Sequence, residues 1–415
     1  MEVTIENKSQ RAILVAADIG SHDAERSLDE LHELCYTAGY EPVARVIQRR
    51  QSPDPATYVG KGILEDVAGV LSGEGAELVI FDDELSPSQI RNIEAACDCP
   101  VIDRTMLILN IFAMRANSAE GGIQVELARQ RYMLPRLVGR GVQMSRQGSG
   151  TGTHRGPGET KLESDRRHIR RRIAALEEDL EELGKRRAQR RKRRKKEGIP
   201  TIAIVGYTNA GKSTLLNHLT GSGVLAEDML FATLDPTARA LLLPDGARAM
   251  LVDTVGFISR LPTLLVEAFK ATLEEVSDAD LILNVCDVSS PDFHIQMSVT
   301  EKILQDIGAQ AIPMVTALNK CDLISEVPHT ISGNCVAISA KTGFGIDALL
   351  EEIARQLSGS HRRMSLLLPY DKGGLLAIVR EQGRVLSEDY TDDGICSEAM
   401  VHKSVQHLLE PYEAK

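Results

Sequence analysis

The segment Gly206-Tyr207-Thr208-Asn209-Ala210-Gly211-Lys212-Ser213, with Thr214 behind it, constrains this chain more than any other feature. It follows the apolar run Thr201–Val205 and precedes a helical pattern at 214–219. Strand, G-x-x-x-x-G-K-S, helix is the context of a phosphate-binding loop. Its glycines let backbone N–H groups curl around a phosphate, and the helix N-terminus adds its positive end. Lys212 is expected to reach the β- and γ-phosphates, and Ser213 to ligate Mg2+ through its hydroxyl. Such a loop belongs to a sheet with helical crossovers, so an α/β fold is expected here.

Three downstream motifs name the nucleotide. Asp253-Thr254-Val255-Gly256 follows an apolar run at 249–252. Asp253 is placed to hold Mg2+ through water, and the Gly256 N–H to sense a γ-phosphate. Asn319-Lys320-Cys321-Asp322 follows the apolar stretch at 313–317. A carboxylate only accepts hydrogen bonds. Guanine offers two adjacent donors to Asp322, whereas adenine offers an acceptor that a carboxylate repels. A site built around buried donors strongly rejects an analogue lacking them. Asn319 should brace the base and the loop, and the Lys320 stem should pack over the ring. In Ser339-Ala340-Lys341, the Ala340 N–H can reach guanine O6.

Between the first two motifs lies Phe231-Ala232-Thr233-Leu234-Asp235-Pro236-Thr237. Thr233 is the expected switch threonine, bonded to Mg2+ when a γ-phosphate is present, with Thr237 as the alternative. Lys212, Thr233 and Gly256 are thus the candidate catalytic groups, and GTP binding with hydrolysis to GDP and phosphate is the expected chemistry. After D-x-x-G, where some GTPases carry a water-orienting Gln, stands Phe257. A phenyl ring cannot orient water by hydrogen bonding, so slow unassisted turnover is expected. Arg260 is either a charge-stabilising finger or, as charged residues usually are, a surface side chain.

The rest of the chain divides around this unit. Residues 11–115 alternate apolar runs (12–16, 43–47, 78–81, 101–102) with amphipathic stretches at 24–37, 63–71, one opened by Ser86-Pro87, and one at 105–114. This implies a small parallel α/β lobe. Gly60-Lys61-Gly62 lacks phosphate-loop spacing and reads as a helix start. Residues 122–138 read as a helix, and 140–158 as a loop whose glycines permit no regular element. From Glu159 a second helix carries Ile169, Ile173, Leu176, Leu180 and Leu183 at alternating steps of four and three. That seam packs against a partner helix, so an antiparallel hairpin is expected. The helix runs through a basic stretch at 185–196 to a break at Gly198-Ile199-Pro200. Strand-like and helical patterns at 364–368, 374–381, 384–387 and 398–401 form a last small unit. The expected division is an N-terminal α/β lobe at 1–115, a helical hairpin at 116–198, a P-loop GTPase domain at 199–358 and a small α/β C-terminal unit at 359–415.

Net charge is −11, yet the basic stretch is nearly all one sign. Arg190, Arg191, Lys192, Arg193 and Arg194 can neutralise phosphates, and Arg146 and Arg155 in the glycine loop can probe an RNA cavity. The competing reading is a solvated helix face with a plain linker. The absence of Trp and an aromatic content of 4% argue against base-stacking platforms. Seven irregularly spaced cysteines without C-x-x-C fit reduced thiols. The N-terminus lacks signal-peptide character, and no apolar run approaches the ~20 residues that span a bilayer. A cytoplasmic monomer without a transmembrane segment is expected.

The chain resembles the HflX-type GTPases of the Obg–HflX group. The resemblance rests on Phe81-Asp82-Asp83-Glu84-Leu85-Ser86-Pro87, on Val125-Glu126-Leu127-Ala128 through Leu134-Pro135-Arg136-Leu137, and on Arg155-Gly156-Pro157-Gly158-Glu159-Thr160. It continues through the P-loop, Phe231-Ala232-Thr233-Leu234-Asp235 and Asp253-Thr254-Val255-Gly256-Phe257-Ile258. In that family a hydrophobic residue at the Phe257 position is usual. The resemblance implies an α/β lobe and a helical hairpin ahead of the GTPase domain. It also implies binding to the large ribosomal subunit and its rRNA, with the hairpin loop near the peptidyl-transferase region. Splitting of stalled or idle ribosomes, ribosome-stimulated hydrolysis and, in some members, ATP hydrolysis are further implications. A GTP-dependent assembly factor and a GTP-controlled protein-binding switch are the competing functions. Nothing in residues 362–415 matches a known motif.

Overall fold

A computed structural model describes residues 9–20, 22–137, 157–196, 199–221, 230–231, 237–262, 264–265, 270–324, 334–358, 361–391 and 394–414. The chain forms two compact units. The first holds Met1–Glu181 with the short returns Met229–Phe231 and Arg260–Phe269. The second holds Glu182–Asp228, Ala232–Ser259 and Lys270–Lys415.

The first unit is built on a parallel sheet of β1 (Gln10–Asp18), β2 (Tyr40–Arg49), β3 (Leu78–Phe81) and β4 (Val101–Asp103), in the order β2-β1-β3-β4. Pro42 lies on the outer strand, beside a register shift, where a residue without N–H is tolerated. Each helix starts where the sequence supplies a cap. Asp23 accepts from Arg26 N at 3.2 Å to open α1 (Ala24–Thr37), which buries Leu28, Leu31 and Cys35. Gly60 opens α2 (Lys61–Glu74). Ser86 and Gln89 form a reciprocal capping box before Pro87 in α3 (Pro87–Cys97). Asp103 caps α4 (Arg104–Arg115).

Helix α5 (Ala119–Arg136) takes in Pro135, and α6 (Pro157–Lys196) follows. The seam residues of α6 are buried or half-buried, and Leu176 is 1% exposed. Arg131 pairs with Glu177 at 2.7 Å and Arg172 with Glu126 at 3.9 Å, so the two helices pair as a hairpin. Helix α6 starts at Pro157, two residues earlier than its sequence pattern suggests. Proline suits a first helical turn, and it carries Gly158 with it.

In the second unit a six-stranded sheet has the order β10-β9-β8-β5-β7-β6. Its strands are β5 (Thr201–Val205), β6 (Thr237–Leu242), β7 (Arg248–Asp253), β8 (Leu281–Asp287), β9 (Met314–Asn319) and β10 (Cys335–Ala337). All pair in parallel except β6 with β7. Helices α7 (Lys212–Thr220), α8 (Lys270–Ser277), α9 (Phe293–Asp306) and α10 (Ile346–Ser358) complete this layer. Ile202, Ile204, Leu215, Leu283, Val315 and Leu349 form its core. A separate antiparallel sheet joins β11 (His361–Leu368), β13 (Gly394–His402) and β12 (Gly383–Thr391), with α11 (Gly373–Gln382) and α12 (Lys403–Leu409). Met364, Leu366, Val379, Ala399 and Leu409 make its core. The fold is therefore α/β, with a P-loop sheet, a parallel N-terminal sheet beside a helical hairpin, and a small C-terminal α/β layer.

Candidate functional site

All four nucleotide motifs follow or end parallel strands at the same edge of the second sheet, β5, β7, β9 and β10. Loops at the carboxyl ends of parallel strands are where α/β sheets bind ligands. The P-loop turns into α7 at Gly211, whose φ is +92° and whose missing Cβ leaves room for the Asn319 amide. Asn319 Nδ2 donates to Ala210 O at 2.8 Å, and Ala340 N donates to Asn319 Oδ1 at 2.9 Å. One buried side chain thus ties three motifs together. The Ala340 N–H, expected at guanine O6, is engaged by Asn319 in this structure. Ser339 is buried, and its hydroxyl accepts from Thr342 N at 3.2 Å. Lys341 and Asn209 are exposed.

Lys212 is buried, and its ammonium donates to Gly206 O at 3.1 Å and Tyr207 O at 2.8 Å. Burial pushes its pKa down to about 8, while the nearby Asp253 acts in the opposite direction. Ser213 Oγ donates to Asp253 Oδ2 at 3.4 Å. A hydroxyl beside a fully buried carboxylate is a hard-oxygen pair, the donor chemistry that suits Mg2+. Thr254 Oγ1 donates to Ile204 O at 2.7 Å, which pins β7 to β5 beneath the motif.

Residues after Asp253 return to the P-loop. Thr208 N donates to Phe257 O at 2.7 Å and Phe257 N to Gly206 O at 3.0 Å, a parallel bridge of Tyr207 with Phe257. The Phe257 ring is buried at 2% exposure, so it faces no solvent. On the base side, Asp322 is exposed and Cys321 half-buried. Lys320 has φ +64°, and its ammonium pairs with Asp287 Oδ2 at 2.8 Å. The sequence reading missed Asp287. Its signal was an aspartate closing an apolar strand two residues before Ser289, whose N–H it accepts at 3.0 Å.

Ala232, Thr233, Leu234 and Asp235 lie outside the described residues, as do Arg146 and Arg155. Phe231 has φ +55°, and its ring packs edge-on against Phe112 at 4.7 Å, so the ring serves the first unit's packing. Thr237 opens β6. Arg190, Arg191, Lys192, Arg193 and Arg194 lie on the last turns of α6, with Lys192 exposed.

Arg260 is neither a finger over the motifs nor a plain surface residue. Its guanidinium donates to Asp82 Oδ2 at 2.7 Å, to Ser27 Oγ at 2.8 Å and to Asp82 O at 3.2 Å, and it also pairs with Asp83. Asp82, wholly buried, further accepts from Arg104 Nη1 at 2.8 Å and Ser27 Oγ at 2.6 Å. His22 beside this cluster has its pKa lowered by burial and then by Arg260. The buried Asp82 of Phe81-Asp82-Asp83 thus organises an ionic cluster of the first unit, with the half-buried Asp83 at its margin.

Comparison with known proteins accounts for nearly the whole chain. Residues 25–113 match a family profile described as "GTP-binding GTPase N-terminal", and residues 115–194 one described as "GTP-binding GTPase Middle Region". Residues 201–320 match "50S ribosome-binding GTPase", and residues 326–406 match "HflX C-terminal domain". GTPase HflX of Caldanaerobacter subterraneus is 53% identical over 97% of this chain and 94% of its own length. That of Lacrimispora saccharolytica is 47% identical over 96% and 95%, and that of Escherichia coli 41% over 94% and 92%. Among solved structures, a GTP-binding protein from Sulfolobus solfataricus in complex with GDP is 26% identical over 84% of this chain and 99% of that one, with a TM-score of 0.45. With relatives of this identity aligned over almost its full length, and with a P-loop sheet carrying the guanine motifs, the chain belongs to the HflX family of GTPases and is a GTP-hydrolysing enzyme.

Proposed function

We propose that this GTPase docks on the large ribosomal subunit and couples GTP binding and hydrolysis to splitting or recycling of stalled or idle ribosomes. One observation carries the proposal. Helix α6 leaves the hairpin seam, continues through a run of arginine and lysine, and ends just before β5, the strand that feeds the P-loop. Within that run Arg186 pairs with Glu182 at 2.6 Å, and a stretch of arginine and lysine has RNA phosphates as natural counter-ions. The ribosome-binding description of the matched profile supports the same reading. The divisions 1–115, 116–198, 199–358 and 359–415 are the working domains of this proposal.

In the site, the P-loop residues Gly206, Tyr207, Thr208, Asn209, Ala210, Gly211 and Thr214 surround the phosphates. Lys212 neutralises β/γ charge. Asp322 reads the guanine edge, Asn319 and Lys320 brace it, and Ser339, Ala340 and Lys341 close over it. Ser213, Thr233 and Asp253 would hold Mg2+, which would supply positive charge to offset that of the phosphates. Gly256 contributes its N–H to the γ-phosphate. Phe257 offers no hydrogen bond to water, so hydrolysis waits on ordering by the ribosome. The same docking would serve an assembly factor, and accumulation of precursor large subunits on depletion would favour that role.

The test measures GTP turnover with and without large subunits and follows 70S particles by light scattering. Ribosome-stimulated turnover with GTP-dependent loss of scattering is expected. Fast turnover by the protein alone, indifferent to ribosomes, would refute the proposal.

A further inference from the structure

Strand β8 ends on an acid that none of the nucleotide motifs includes. Asp287 closes β8 and lies in register with Asn319, the first residue of N-K-C-D, on the neighbouring β9. Val288 N extends that pairing by donating to Asn319 O at 3.1 Å. Asp287 therefore stands on the sheet edge from which the base-reading turn departs.

Its two carboxylate oxygens have separate partners. Oδ1 accepts from Ser289 N at 3.0 Å and from Ser289 Oγ at 2.5 Å. Oδ2 pairs with the Lys320 ammonium at 2.8 Å. An asparagine would serve Ser289 as well as an aspartate does, because its carbonyl oxygen accepts the same two hydrogen bonds. Only a carboxylate offers a second, negatively charged acceptor to the lysine. The charge at this position is thus explained by Lys320 and not by the turn at Ser289.

Lys320 is held from both ends. Its backbone is left-handed, φ +64°, at the entry to the short 3-10 turn Cys321–Leu323. A non-glycine residue keeps that conformation where its surroundings hold it. Before it, Asn319 bonds Ala210 and Ala340; after it, Cys321 N donates to Ile338 O at 3.2 Å. With backbone and ammonium both fixed, the four-carbon stem between them has few rotamers left. A free lysine stem has many, and ordering them opposes binding. The side chains of Lys320 and Asp287 are 27% and 16% exposed, so salt screens this pair less than one on the open surface.

We propose that Asp287 is a positioning residue for the guanine nucleotide, holding the Lys320 ammonium so that the lysine stem is laid out as a platform for the purine ring before the nucleotide arrives. This rests on the reading above in which Lys320 braces the base, and it adds the group that fixes the brace. Asp287 acts through Lys320 and does not touch the base. A platform against the ring face is blind to the 2-amino group, which lies on the edge that Asp322 reads. Removing the anchor weakens each purine nucleotide that Asp322 admits and leaves their order unchanged.

The experiment measures binding of GDP and IDP, both with Mg2+, to the full chain by calorimetry. IDP has the same ring system without the 2-amino group. Ordering one long side chain corresponds to about a three- to tenfold change in affinity. Asp287→Asn should weaken GDP and IDP by a common factor in that range, with the GDP-to-IDP ratio within about twofold of the parent's. Lys320→Met keeps an unbranched stem and removes the ammonium. It should give the same pattern, and it carries the test if the Asp287 variant folds poorly. Adding Asp287→Asn to Lys320→Met should weaken binding no further, because the two groups act as one contact. Unchanged GDP affinity in Asp287→Asn, a collapsed GDP-to-IDP ratio, or additive losses would each overturn the proposal. The parent's own ratio tests the base-edge reading separately: no preference for GDP over IDP would refute the role of Asp322, and the role of Asp287 would still be decided by the common loss.

Discussion

Replacing Asp82, the residue that follows β3, with Asn should destabilise the first unit. The carboxylate is wholly buried and faces two guanidiniums, Arg104 at 2.8 Å and Arg260 at 2.7 Å. Asn keeps the size but removes the charge, and its NH2 turns a donor toward donors. Stripping one partner from a buried ion pair costs about 3–5 kcal/mol, mostly from the charge left uncompensated. Arg104 retains Glu30 and Arg260 retains Asp83, so the lower end of that range applies, about 3 kcal/mol. The chain lacks Trp and forms two units, so a single optical unfolding curve would blur the effect. Hydrogen exchange read by mass spectrometry resolves it. The slowest amides of β1 and β3 should exchange about a hundredfold faster, while β8 and β9 of the second unit stay unchanged. Arg260→Gln, at a side chain 27% exposed, should cost distinctly less. Exchange in β1 and β3 within threefold of the parent would refute the ionic cluster as the anchor of this unit.

Other consequences are equally measurable. Lys212 is charged below its pKa of about 8 and neutral above it, and phosphate binding needs the charged form. GDP affinity, measured calorimetrically, should therefore fall about tenfold between pH 7 and pH 9, because binding must take up a proton; a flat profile would contradict the burial of Lys212. Gly256→Ala drives a methyl into Thr208 and Lys212, and the displaced turn should lower ribosome-stimulated kcat by about a hundredfold. Single-turnover hydrolysis would report this even if nucleotide affinity changes. Changing Arg190, Arg191, Arg193 and Arg194 together to Ala should weaken ribosome co-sedimentation and flatten its salt dependence. Unaltered binding across a salt series would assign that run to a solvated face.

What could be read without the structure was local. G-x-x-x-x-G-K-S, D-x-x-G and N-K-C-D each lie within eight consecutive residues, and their chemistry follows from spacing along the backbone. Helix α1 was legible to its ends because Asp23 caps it and Leu28, Leu31 and Cys35 repeat at helical steps. Helix α12, seven residues long, went unnoticed because so short a pattern hardly differs from a strand's continuation. The pairing of α6 with α5 was legible in its four-and-three seam, whereas the sheet orders and the antiparallel β6 required the tertiary structure. So did the side-chain contacts between residues far apart in the chain. Tyr207 and Ser259 stand 52 residues apart, Asp82 and Arg260 178, and Asn319 and Ala210 109. Sequence alone determined which nucleotide this protein takes, because base and phosphate recognition are written in contiguous loops. Only the fold decided that Arg260 serves the buried Asp82 and that the Tyr207 hydroxyl bonds to Ser259. Long-range pairings depend on how distant segments pack, and no local pattern encodes that.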